Sequence, residues 1–336
     1  NNPDVILGGA VTIATGGIWS GGAGTFSPNV NALNAIYTPS ATEITAGFAT
    51  LILTTTANGL CNAESDNVTI TYTVSPTADA NVDQTVCANN AAVTLSGSVT
   101  IASGGSWSGG AGTYAPDANT LNAVYTPSAA EITAGTVTLT LTTTGNGTCL
   151  SDTDDMDITI TTGPTADADA DQTVCANNPA VTLNGSVTIA TGGVWSGGTG
   201  TYVANANTLN ADYTPSAAEI TAGTVTLTLT TTGNGNCSSE SDDMIITIDP
   251  SPIVDAGIAA SVCGNNPDVT LAGSITNAGG GEWSGGTGTY NPSNVAFNAV
   301  YTASAAEITA GTVTLTLSST ANGLCNAESD NVTITY

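Results

Sequence analysis

Lysine, arginine and histidine are absent from all 336 residues, whereas aspartate and glutamate total 27, for a formal net charge of −27. Nucleic-acid binding is thereby excluded, because no cation can displace the counterions condensed on phosphates. Attraction to anionic lipid headgroups fails for the same reason. A serine nucleophile would find no histidine or lysine to activate it. Lys–Asn isopeptide crosslinks are impossible, and trypsin has no site to cut. The glycine run at 197–200 lacks the lysine and the strand–helix context of a phosphate loop. No CxxC spacing occurs, which together with the missing histidine argues against zinc. No signal peptide or membrane-spanning apolar run is visible. Charged residues make up only 8% of the chain, so most of the surface must be threonine, serine, asparagine and glycine. Like charge spread along such a surface favours solubility and opposes side-by-side clumping.

What is present is one unit written four times. Trp19, Trp107, Trp195 and Trp283 are each 88 residues apart, as are Cys61, Cys149, Cys237 and Cys325. Between 73–160 and 161–248, 70 of 88 positions are identical, and TANGLCNAESDNVTITY occurs verbatim at 56–72 and 320–336. The expected organisation is repeat 1 at 1–72, lacking its leading 16 residues, then repeats 2 to 4 at 73–160, 161–248 and 249–336. Asn1-Asn2 matches Asn89-Asn90, so a cysteine matching Cys87 would fall just before residue 1, as in a window on a longer array. Such regularity suits a chain selected for length and uniform mechanics, since one catalytic site does not need four copies.

Seven cysteines at two recurring places fit disulfides in an oxidising, extracellular setting. Two pairing schemes suggest themselves. Within repeats the pairs are Cys87–Cys149, Cys175–Cys237 and Cys263–Cys325. Across junctions they are Cys61–Cys87, Cys149–Cys175 and Cys237–Cys263. Each scheme orphans one cysteine, so parity does not decide. The within-repeat set is preferred because each repeat then carries its own staple, contributing on the order of 4 kcal/mol by loop-closure entropy.

The pattern inside a repeat is that of strands. In repeat 3, TVTLTLTTT at 224–232 alternates Val225, Leu227 and Leu229 against threonines, and MIITI at 244–248 alternates Met244, Ile246 and Ile248. Val181, Leu183, Val187 and Ile189 supply further β-rich positions. Leu209, Ala211 and Tyr213 should point inward, with Asp212 between them outward. WSGGTGTY at 195–202 reads as strand, glycine turn, strand. PSAAEITAG at 215–223 is the one helical signal: Ser216 and Glu219 form a capping box and Gly223 a left-handed stop. The same pairs recur as Ser40 and Glu43, Ser128 and Glu131, and Ser304 and Glu307. Around seven short strands with one helical turn predict an all-β fold: four Ig-like antiparallel β-sandwich repeats, the first truncated, set end to end as an elongated rod. At ~3.3 Å per residue, strands of 8–10 residues make each repeat roughly 30 Å long. The order Cys175, Trp195, Cys237 matches the immunoglobulin sandwich loosely, without the tyrosine two residues before the second cysteine.

The run ADADQTVCANNPAVTLNGSVTIATGGVWSGGTGTY, with YTPSAAEITAGTVTLTLTTTGNGNC and SDDMIITI after it, resembles the tandem repeats of giant SprB-type cell-surface adhesins of gliding Bacteroidota, exported by the type IX secretion system. The similarity covers essentially the whole chain. It implies a long filament tethered to the outer membrane, contacting substratum or polysaccharide and carried along the surface by motility machinery. No catalytic residue comes with it.

The recurring candidates have bland readings as well as sharp ones. Glu43, Glu131, Glu219 and Glu307 resemble a catalytic or metal carboxylate, but their spacing from serine is that of a capping box. Asp167, Asp169 and Asp171, with Asp152, Asp154, Asp155 and Asp157, are the best case for structural calcium. Their counterparts thin to Asp79 and Asp83 in one junction and to Asp255 in another, which favours solvated charge and no cofactor. The four tryptophans could stack on sugars, but a strand followed by Gly-Gly favours a core role. The expected function is therefore a non-enzymatic structural stalk in an extracellular, cell-surface filament, whose partners are neighbouring repeats. The alternative is a multivalent carbohydrate-binding module gaining avidity from its copies.

Overall fold

The computed structural model describes residues 3–336 and divides into two compact units, Asn1–Thr162 and Gly163–Tyr336. Each unit holds two repeats. Repeat 3 shows the plan: β1 Thr165–Asp167, β2 Gln172–Cys175, β3 Val181–Thr182, β4 Ser186–Thr188, β5 Gly192–Ser196, β6 Thr201–Val203, β7 Asp212–Thr214, α1 Ala217–Ala222, β8 Thr224–Thr232 and β9 Ser241–Asp249. The fold is all-β.

Three sheets enclose the core. The largest runs β2-β9-β8-β5, the second β3-β7-β6, and β1 pairs with β4. The strand count exceeds the seven expected by β1 and β2, three and four residues long, which precede the β-rich run and are too short for alternation to reveal. One pairing also departs from the expected all-antiparallel sandwich. β2 lies parallel to β9, with Cys175 opposite Asp249. A parallel pair joins two segments far apart in sequence, so no hairpin signal announces it.

The long hairpin follows the binary pattern. In β8, Val225 is 7% exposed and Leu227 and Leu229 are fully buried, while Met244, Ile246 and Ile248 of β9 face the same core. Trp195 and Tyr213 join them at 2% and 0% exposure, with Leu183 in the same cluster. Asp212 faces outward and Leu209 is half-buried. Tyr202 stacks on Tyr213 with ring centroids 4.8 Å apart, a tilted pair on β6 and β7 that adds about 1 kcal/mol beyond its area. Burying these side chains supplies most of the stabilisation, roughly 1.5–3 kcal/mol for each large one. Equivalent clusters form separately in the other repeats, around Trp19, Trp107 and Trp283.

Ile189 breaks the pattern. It lies at φ +64° and is 57% exposed, as Ile13 and Ile101 are also left-handed and exposed. A β-branched residue pays for that conformation with a clash between its Cβ and the backbone. Repeat 4 places Asn277 there, at φ +60°, and its Nδ2 donates to the Ser251 carbonyl at 3.0 Å. Ile189→Asn is therefore expected to stabilise repeat 3 by about 1 kcal/mol, read as a raised urea midpoint. An unchanged or lowered midpoint contradicts the strain at this turn.

Candidate functional site

The recurring glutamate sits at a corner that ties three elements together. Ser216 ends the extended segment before α1, and its side chain accepts from the Glu219 N–H while the Glu219 carboxylate accepts from the Ser216 N–H at 2.7 Å. Gly223, at φ +78°, closes the helical turn. The carboxylate reaches further than a cap requires. It accepts from the Tyr213 hydroxyl at 3.0 Å and from the Thr199 N–H in the glycine turn between β5 and β6. The Tyr213 oxygen in turn accepts from the Gly200 N–H at 3.0 Å. Ser40 with Glu43, Ser128 with Glu131, and Ser304 with Glu307 repeat the arrangement.

This geometry fixes the charge. Burial alone would raise the Glu43 pKa, but hydrogen bonds from the Ser40 and Ala23 N–H groups, Tyr37 and the Ser40 hydroxyl outweigh it and hold the carboxyl at about 2. Glu131, Glu219 and Glu307 are lowered for the same reasons. Burial, and then the bond to Glu43, push Tyr37 up to about 12. A carboxylate surrounded by its own fold's donors has no lone pair aimed at a ligand. It acts as a rivet between corner and turn.

The tryptophans lie inside. Trp19, Trp107, Trp195 and Trp283 are 6%, 2%, 2% and 0% exposed. The indole N–H of Trp195 donates to the Leu209 carbonyl at 3.1 Å, as Trp107 does to Leu121. Trp107, Trp195 and Trp283 offer no ring face to a sugar.

Many of the acidic side chains accept from nearby backbone. Asp242 Oδ2 takes the N–H of fully buried Ala168 at 2.9 Å, and Asp154 and Asp330 do the same for Ala80 and Ala256. Asp152 accepts from Ala78, Asp83 from Asp157 and Asp171 from Ile245. Asp79, Asp167 and Asp255 each accept from the N–H two residues on. Among the described residues, no group of three or more cysteines, aspartates or glutamates is placed to hold a metal ion. In repeat 1 a groove of about 430 Å³ opens beside Trp19, Leu53 and Asp66. Its counterpart in repeat 3 is filled by β1, which packs on β8 and β9.

The cysteines follow neither scheme drawn from the sequence. Cys175 bonds to Cys325, 150 residues later, with Cα atoms 4.9 Å apart. Cys61, Cys149 and Cys263 are free thiols, while Cys87 and Cys237 are oxidised. The within-repeat pairs Cys87–Cys149, Cys175–Cys237 and Cys263–Cys325 are therefore corrected, as are Cys61–Cys87, Cys149–Cys175 and Cys237–Cys263 across junctions. The reason lies in β9. Cys175 ends β2 beside Asp249, the last residue of β9, whereas Cys237 sits in the hairpin that opens β9. Nine strand residues separate those ends, roughly 25–30 Å, far beyond the ~7 Å a disulfide spans between Cα atoms.

Cys175 thus stands at the exit of repeat 3, directly before the junction at 250–252, and the returning hairpin of repeat 4 brings Cys325 to meet it. Cys325 Sγ lies 3.7 Å from the Pro250 carbonyl oxygen. Beside the bond, Asn177 Nδ2 donates to the Asn326 carbonyl at 3.1 Å and to Glu328 Oε1 at 2.7 Å, and Asn177 Oδ1 accepts from the Asn326 N–H at 3.1 Å. Unit 1 repeats the geometry. Cys87 Sγ lies 3.7 Å from the Thr162 carbonyl oxygen and Cys149 Sγ 3.9 Å from that of Val74, and residues 74, 162 and 250 are one position of the repeat. Exit cysteines and hairpin cysteines alike converge on the junctions.

No protein-family model matches the sequence, and no curated protein does. Among solved structures, the chain is similar to the extracellular cadherin domains 1–4 of protocadherin gamma B7, at 12% identity and a TM-score of 0.38, covering 95% of this chain and 92% of that one. Drosophila N-cadherin EC1–4 aligns at 12% identity and 0.31, covering 97% and 93%. Sidekick-1 immunoglobulin domains 1–5 align at 10% and 0.28, covering 99% and 76%. Scores this far below 0.5 give the likeness no weight for function or family.

Proposed function

We propose that this chain is a stalk segment of a long extracellular filament or adhesin, displayed at the cell surface for attachment or gliding. The disulfide between Cys175 and Cys325 carries this reading, because it joins one repeat to the next. A staple that crosses a junction serves a chain whose task is to transmit load, and its persistence requires an oxidising compartment. The riveted corners and buried tryptophans support it, since the residues that recur most faithfully are committed to the fold itself. On this reading substratum or polysaccharide is contacted elsewhere on the filament, and surface motility machinery is the partner at its base.

Imaging live cells that make the protein, with a fluorescent antibody fragment raised against one repeat, tests the proposal. Label moving along the surface supports a gliding adhesin. Stationary surface fibres leave the stalk and remove the gliding. Label seen only after permeabilisation overturns the extracellular reading.

A further inference from the structure

We propose that the Cys175–Cys325 bond is the load path between repeats 3 and 4, so that tension between residue 163 and Tyr336 crosses through sulfur and leaves residues 176–324 unloaded. The inference deepens the stalk reading and rests on it. The two cysteines bracket 149 residues, following from their sequence separation of 150. Those residues include β3 to β9 of repeat 3 and, in repeat 4, everything up to and including the strand Thr312–Thr320. A pull applied at residue 163 and at Tyr336 draws only on 163–175 and 325–336. Unfolding within 176–324 then yields no length, because those strands lie in a closed loop; only β1, β2 and the last strand of repeat 4, Ser329–Thr335, lie in the loaded segments.

The surroundings of the bond suit this task. Cys175 is fully buried, which denies an attacking thiolate access to its sulfur. The Asn177 contacts with Asn326 and Glu328 hold the hairpin loop against repeat 3, so the junction does not hinge about the sulfur atoms. The four residues of β2, paired in parallel with β9, are the only main-sheet strand of repeat 3 in the loaded segment. A chain built this way resists extension even when its repeats are individually unfolded by force.

Single-molecule stretching of the full chain, tethered at its two ends and with free thiols alkylated, tests the proposal. The background is Cys87→Ser/Cys237→Ser, which removes the other oxidised cysteines from the path. Adding Cys325→Ser to that background is expected to lengthen the fully extended chain by about 150 residues, roughly 500 Å at ~3.4 Å per residue. Treating the background chain with dithiothreitol should give the same gain. A gain of about 62 residues, or none, overturns the proposal. The readout needs no folded repeat, because the bond limits an unfolded chain as well. It is also independent of location: a surface filament that extends to full length sinks the load path alone, and an intracellular chain with the short contour sinks the stalk reading alone.

Discussion

Cys325→Ser is expected to lower the stability of repeat 4 by about 4–5 kcal/mol, the loop-closure entropy of a cross-link enclosing 75–150 residues. The lower figure applies if repeat 4 unfolds while repeat 3 stays folded, the upper if they unfold together. The matched control is Cys263→Ser, at an exposed free thiol, which should shift the urea midpoint little. Trp283, buried in the core of repeat 4, provides the fluorescence signal. Equal midpoints for the two variants would show that the staple constrains nothing that folding does not already hold.

The second large effect belongs to the glutamate rivet. Glu219→Ala leaves the N–H groups of Ser216 and Thr199 and the Tyr213 hydroxyl without their shared acceptor. A cap alone is worth about 1 kcal/mol. Donors left unsatisfied in a closed corner raise the expected cost to about 3 kcal/mol. The acid response follows from the lowered pKa values. Glu43 is held at about 2 against an ordinary 4.5, so its charged form stabilises the fold above pH 4.5. That contribution is lost as pH falls from 4.5 toward 2. Glu131, Glu219 and Glu307 shift in the same direction, so the four corners loosen together. Urea midpoints should fall steeply between pH 4.5 and 2.5, and replacing all four glutamates by alanine should flatten that slope. An unchanged slope would show that other carboxylates control acid stability.

What could be read from the sequence was local. β8 and β9 announce themselves by alternation, and the capping box by four residues in a row, because the interactions that shape them lie within one hairpin or one turn. The partners of those residues across the fold could not be read. Glu219 finds Thr199 twenty residues upstream, and Asp242 finds Ala168 seventy-four residues upstream. Nothing in a run of Asp and Ala separates a backbone acceptor from a solvated charge. The disulfide was hidden for a related reason. Periodicity suggests two pairing schemes, and the bond formed belongs to neither: it joins the exit cysteine of one repeat to the hairpin of the next. In the structure Cys175 and the hairpin that opens β9 lie at opposite ends of the sheet. That separation follows from β2 running parallel to β9, a pairing with no local signal.

The measurement that tests the account most directly exploits the missing cations. Ile253 is 62% exposed just past the junction, and Ile253→Lys creates the one trypsin site in the chain. The variant is purified without reductant, its free thiols are blocked, and it is denatured and cut. The account predicts that 1–253 and 254–336 migrate together on a non-reducing gel and separate when dithiothreitol is added. Adding Cys325→Ser should free them without reductant, and adding Cys263→Ser should not. Fragments of Ile253→Lys alone that part without reductant would contradict a covalent link between successive repeats, and with it the load-bearing stalk.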